Sequence, residues 1–103
     1  MRLYRERIIE SGGSDSIDSI IIAEVKACRW LCAVEADLDS NGLQTQIFEL
    51  LCKTPDGEIT QYGILGDDID FTIETELTVD RVRIIITNNE PVEILIRYQR
   101  GAI

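Results

Sequence analysis

Asp37, Asp39, Asn41 and Gly42 stand at the spacing that opens an EF-hand calcium loop, where oxygen-bearing side chains alternate around a hard cation and a glycine makes the sharp turn. The twelfth position of such a loop falls on Phe48, where a bidentate glutamate belongs, and Glu49 comes one residue late. Asn41-Gly42 also supplies the positive backbone angles of a tight hairpin turn, with Asp37 and Asp39 keeping its tip soluble. The hairpin is the preferred reading, a weak surface calcium ion at Asp37 to Gly42 is the alternative, and no resident metal is expected.

A second acidic group, Asp67, Asp68, Asp70, Glu74 and Glu76, has the residue types of a glycosidase carboxylate pair. Asp70, Glu74 and Glu76 nevertheless share one face of an alternating run, which is where a half-exposed strand carries its charge. Cys28, Cys32 and Cys52 offer thiols, but a zinc site needs a fourth ligand and the chain has no histidine. On one extended strand the Cα atoms of Cys28 and Cys32 lie about 13 Å apart, too far for a disulfide. The three are read as small apolar core residues. Without histidine the Ser-His-Asp and Cys-His arrangements are absent, and "GILG" at 63–66 lacks the lysine and the length of a phosphate loop. No catalytic residue, cofactor or enzymatic activity is expected. Trp30 and Tyr62 could form an aromatic platform for a sugar or peptide, although a single tryptophan in a small sandwich is more often its core anchor.

The elements that must position these residues are strands. In "IDFTIETEL", Ile69, Phe71, Ile73 and Leu77 alternate with Asp70, Thr72, Glu74 and Glu76, a period of two. "RVRIIIT" and "VEILIRYQR" repeat the pattern, and "RWLCAVEADL" places Trp30, Cys32, Val34, Ala36 and Leu38 on one side. "SIIIAEV", "LQTQIFELLCK" and "EITQYGIL" complete the set, with turn signals "DSNG", "PDG", "GDD" and "TNNEP" between runs. The pattern predicts a single all-β, antiparallel β-sandwich, jelly-roll-like, of about seven or eight strands. Its expected core holds Trp30, Val34, Phe71, Ile73, Ile84, Ile86, Ile94 and Ile96. Ile85 and Leu95, on the outward faces of consecutive strands, are expected either to form one patch that a second subunit covers or to pack on another element.

The chain has 103 residues, room for one domain, and its ten basic against nineteen acidic residues give a net charge of −9. That charge repels nucleic-acid phosphates and anionic lipid, so neither nucleic acid nor membrane is an expected partner. No apolar run is long enough to span a bilayer, and "MRLYRERIIESGG" lacks the hydrophobic stretch of a secretion signal. Synthesis in the cytoplasm is the expectation. Residues 1–15 are read as an N-terminal arm with a flexible joint at "SGGSDS", and residues 16–103 as the sandwich body. Residues 1–9 carry a net +2, which leaves −11 on the rest. Opposite signs favour contact between copies, so Arg2, Leu3, Arg5, Arg7, Ile8 and Ile9 are predicted to pack on a partner subunit in a homo-oligomer, with a trimer as one form.

The order "SIDSIIIAEVKACRWLCAVE", "QTQIFELLCKTPDGEITQYGILGDD" and "DRVRIIITNNEPVEILIRYQRGAI" resembles small β-sandwich structural proteins of tailed bacteriophages, of the marine and cyanobacterial type. Carrying the resemblance are Ala27, Arg29, Trp30 and Leu31, then Glu49 ahead of Asp56-Gly57, and then Val82, Ile84, Ile86, Thr87 and Asn88. The acidic tip at Glu35 to Gly42 and the basic arm depart from that pattern. The resemblance implies a virion protein made in the bacterial host, most simply a capsid cement or decoration protein packing between subunits of the major capsid protein. A tail, neck or fibre component touching other virion proteins is the alternative in the same setting, and a carbohydrate-binding module for host-surface attachment the alternative of a different class.

Overall fold

A computed structural model describes residues 4–39 and 42–102. Eight strands follow one another: β1 (Arg5–Ile9), β2 (Ser14–Ile21), β3 (Ala27–Asp39), β4 (Gly42–Lys53), β5 (Glu58–Gly66), β6 (Phe71–Leu77), β7 (Arg81–Asn88) and β8 (Ile94–Ala102). Every pairing is antiparallel, in a five-stranded sheet ordered β1-β8-β3-β4-β5 and a three-stranded sheet ordered β2-β7-β6. The described residues include no helix, and so none long and apolar enough to cross a membrane. The expected antiparallel β-sandwich is what forms. Its strands divide five to three because β3, β4 and β5 stay in one sheet as a meander.

Alternation explains the core. Trp30, Cys32, Val34 and Ala36 of β3, Phe48, Leu50 and Cys52 of β4, and Ile94, Ile96 and Tyr98 of β8 point inward from the larger sheet. They meet Ile17 and Ile20 of β2 and Val82, Ile84 and Ile86 of β7 in a single buried cluster. Phe71 and Ile73 sit on the edge strand β6 and are only partly buried, with the Phe71 ring stacked on Phe48 at 5.5 Å between centroids. β3 and β4, of 13 and 12 residues, are the longest strands. Asp39 pairs with Gly42 across the tip of their hairpin, and Gly42 has φ 103°. The acidic segment is therefore a β-hairpin rather than the helix-loop-helix of an EF-hand, while Asn41 lies outside the described residues.

Two expectations near the N-terminus change. Residues 5–9, expected as a detached arm, are β1 and pair along β8 from Arg5 opposite Tyr98 to Ile9 opposite Ile94. Ile9, assigned to a partner surface, is buried in the chain's own core. The expected joint at 11–16 contains the first residues of β2, and "SIIIAEV" gives way to a turn in which the Val25 N–H donates to the Ile21 carbonyl at 3.1 Å. The physical reason is common to both. β1 and β2 are edge strands, and edges carry charged and hydroxyl side chains that keep them from pairing with stray chains, so their composition resembles a solvated tail.

A few polar bonds cross between the layers. The fully buried Asn88 donates from Nδ2 to the Ile9 carbonyl at 3.0 Å and to the Val92 carbonyl at 2.8 Å, and its Oδ1 accepts the Glu90 N–H at 2.8 Å. Trp30, which has no exposed surface, donates from Nε1 to Asp18 Oδ2 at 2.9 Å, and the Tyr98 hydroxyl donates to the Ile17 carbonyl. The Thr75 hydroxyl donates to the Gly57 carbonyl at 2.9 Å, tying β6 to the β4–β5 turn. No buried side-chain nitrogen or oxygen among the described residues lacks a partner.

Cys28, Cys32 and Cys52 are free and buried. Desolvation pushes the Cys32 thiol from its ordinary 9.0 up to about 12 and, helped by neighbouring Cys28 and Asp56, the Cys52 thiol up to about 11. Cys28 is also raised, burial outweighing the opposing pull of Arg100.

Asn88→Ala is expected to cost about 3 kcal/mol in urea unfolding, since it strips two carbonyls and one N–H of their partner at about 1 kcal/mol or more each. A loss below about 1 kcal/mol would show that the crossing is held elsewhere. The raised thiols set a pH dependence: the folded state keeps protons that the unfolded chain releases from pH 9.0 upward, so their contribution is full below that pH and lost as it rises through about 11 to about 12. Urea titrations should give a free energy that declines above pH 9.0, and iodoacetamide should label the three thiols only after unfolding.

Candidate interaction surface

Because β3 and β4 bury alternate residues, the intervening ones form the outer face of the five-stranded sheet. Registration aligns them into rows. Ala33 lies opposite Ile47, and Ile47 opposite Leu65. In the next row Leu31 sits between Gln99 of β8 and Glu49 of β4, and Glu49 stands opposite Tyr62. Leu31 is 50% exposed, Ile47 42% and Leu65 67%. The outer face of an antiparallel sheet in water normally carries polar side chains. Large aliphatic side chains in adjoining positions, rimmed by charge, mark instead a surface that another body covers.

The rim is built from ion pairs. Arg97 of β8 reaches Glu35 of β3 and, at 3.5 Å, Glu6 of β1, with its guanidinium 6.0 Å from the Tyr4 ring centroid. Desolvation works against the Arg97 charge, yet Glu35 and Glu6 outweigh it and hold the guanidinium above its ordinary value. On the far side the Glu49 carboxylate accepts from the Tyr62 hydroxyl and raises that phenol. A shallow depression between Tyr4, Leu31, Ala33, Ile47 and Gln99 opens beside Arg97, about 230 Å³ in volume.

A second hollow, of about 340 Å³, lies where β1, β2 and β8 meet and is lined by Tyr4, Arg5, Asp18, Ser19, Tyr98 and Arg100. Its carboxylate is already committed: Asp18 accepts from Trp30, from the Ser19 N–H at 2.9 Å, and pairs with Arg100 at 3.4 Å. The arrangement positions Trp30 rather than poising an acid or base.

The structure disperses several residues that the sequence grouped. Asp67 accepts the Thr45 N–H at 2.9 Å, Asp70 binds Asn89 at 3.4 Å, and Glu76 pairs with Arg83 at 2.7 Å, so the carboxylates serve separate local contacts. Trp30 is inside the core and Tyr62 on the outer face, so they form no platform. Ile85 and Leu95 do not share a patch: β7 and β8 belong to different sheets, and the two side chains face away from each other. Arg5, Arg7 and Ile8 are exposed on β1, while Arg2 and Leu3 lie outside the described residues. Leu31, Ile47 and Leu65 were missed, although the off-phase aliphatics in "RWLCAVEADL" and "QIFELLCK" carried the signal for Leu31 and Ile47.

No protein-family model and no curated protein matches the chain. Among solved structures, the chain superposes over 96% of its length on the tailspike protein of Acinetobacter phage vB_ApiP_P1, with a TM-score of 0.62 and 14% identity. It spans 21% of that tailspike chain. A looser match, with a TM-score of 0.46 and 6% identity, is to the tailspike gp49 of Acinetobacter baumannii bacteriophage Fri1, a capsular polysaccharide depolymerase, of which the chain covers 19%. The sandwich is therefore a fold also found within a phage tail protein.

Proposed function

We propose that the chain is a non-enzymatic structural module of a phage virion, set in the tail or a fibre, which docks on a neighbouring virion protein through the outer face of its five-stranded sheet. The observation that carries this reading is the row of Ala33, Ile47 and Leu65 beside Leu31, an aliphatic surface that the chain's own fold leaves open. Its mechanism is burial of that surface at roughly 25 cal/mol per Å², with the Glu6–Arg97–Glu35 cluster fixing orientation at the rim. The shared fold with a tailspike segment supports a tail setting over the expected capsid cement role. It does so for an Acinetobacter phage protein, not for the marine and cyanobacterial type of the sequence resemblance. A carbohydrate-binding role has less support, since Trp30 is wholly inside the core.

Replacing Leu31 and Ile47 together by glutamate should leave stability within about 1 kcal/mol, as expected of exposed positions. Co-sedimentation with purified tails should fall at least tenfold. Undiminished binding by the folded variant would remove the face from the proposal, and binding of the unaltered chain to heads but not tails would return it to the cement role.

A further inference from the structure

The net charge of −9 sets copies of this chain against one another, and it is distributed unevenly. From Asp56 to Leu77, which spans β5 and β6, there are seven acidic residues and neither lysine nor arginine. Within that stretch Glu58, Asp68 and Glu74 are exposed, and no cation among the described residues pairs with them. β1 differs: its Glu6 is taken by Arg97, while Arg5 and Arg7 are exposed and among the described residues no carboxylate pairs with either.

These segments occupy opposite sides of the sandwich. β1 and β5 are the two edges of the five-stranded sheet, and β2 and β6 the two edges of the three-stranded one. β1 adjoins β2 on one side, and β5 adjoins β6 on the other. Four antiparallel pairings separate β1 from β5, and two separate β2 from β6, so in each sheet the two edges run in the same direction. A copy displaced sideways without rotation thus presents β1 parallel to β5 and β2 parallel to β6, and both layers continue across the contact. β5 is open along its length, with seven of its nine residues exposed and the other two partly so. From Glu58 to Tyr62 it pairs regularly with β4 before the irregularity near Gly63, a run as long as the five residues of β1. The same displacement puts Ile8, 61% exposed, on one continuous face with Tyr62 and Leu65.

We infer that a second copy of this chain docks head to tail, the basic β1 edge of one against the acidic β5–β6 edge of the next. Unpaired backbone groups on both edges supply hydrogen bonds. Arg5 and Arg7 on one edge and Glu58, Asp68 and Glu74 on the other act as edge charges across the contact rather than as direct ion pairs, since Arg5 and Arg7 lie on the inward side of β1 and Glu58 and Glu74 on outer faces. They supply direction and select against the like-charged alternatives, β5 on β5 and β1 on β1. The contact is heterologous, so it closes into a ring or runs on as a row according to the rotation between copies. It uses the sheet edges and leaves the outer aliphatic face free, and so stands apart from the proposed docking function.

Sedimentation velocity on the whole chain tests it. The unaltered protein should self-associate, and raising salt from about 0.1 M to about 1 M, which cuts the screening length from about 10 Å to about 3 Å, should weaken association at least tenfold. Arg5→Glu with Arg7→Glu, and separately Glu58→Lys with Asp68→Lys and Glu74→Lys, should each give a monomer with unchanged circular dichroism. Mixing the two variants should restore association, because each reversed edge then meets an opposite charge. A monomeric unaltered chain, association insensitive to salt, or a folded charge-reversed variant that still associates alone would overturn the inference. The Leu31/Ile47 double variant should self-associate as the unaltered chain does, which separates this contact from the docking face.

Discussion

Asn88 holds the two layers at the place where the chain passes between them. The segment from β1 to β2 and the segment from β7 to β8 cross from sheet to sheet at the same end of the molecule, and the Asn88 carboxamide bonds into both. Its backbone joins the same junction, accepting the Gly12 N–H and donating to the Gly13 carbonyl, each at 2.9 Å. A buried amide with its side chain fully partnered in a low-dielectric interior is strong and directional, whereas aliphatic contacts between sheets tolerate sliding. Burial supplies most of the driving force for folding. Polar crossings at Asn88, Trp30 and Tyr98 decide which relative placement of the sheets that force stabilises.

With the placement fixed, the inner faces are filled and the rest of the apolar surface has no work to do within the fold. β3 and β4 are apolar on both sides: Trp30, Val34, Phe48 and Leu50 close the core, while Leu31, Ile47 and Leu51 face outward. A strand carrying such residues on both faces is what a sheet with covered faces needs. Within the chain only one face is covered. The proposed docking role rests on that imbalance.

The legible parts of the sequence were the strands whose two faces meet different environments. Phe71 to Leu77 alternates because one side faces the core, where Phe71 stacks on Phe48, and the other meets water. β7 and β8 follow the same rule apart from Ile85 and Leu95, whereas β3 and β4 carry aliphatic residues on their outer face as well. β1 and β2 were illegible for a related reason. An edge strand meets water on its free side as well as on its outer face, so Arg5, Arg7, Ser14 and Ser16 show the composition of a tail while their backbones complete a ladder. In β2 the shift in pairing between Ser16 and Asp18 breaks the alternation that would have revealed it.

Local chemistry alone determined that the chain is all-β, that Trp30 and the alternating isoleucines are core, and that the N-terminal residues and the following body differ in charge, because side-chain periodicity and charge are properties of neighbouring residues. Which sheet each strand joins was decided only in three dimensions. Ile85 and Leu95 lie ten residues apart on consecutive strands, yet face opposite sides of the molecule, since the turn after Asn88 passes from one layer to the other. Leu31, Ile47 and Leu65 are distant in sequence and become one surface only when β3, β4 and β5 pair in register. Pairing partners are set by the packing of the whole core, a non-local sum that no single segment encodes.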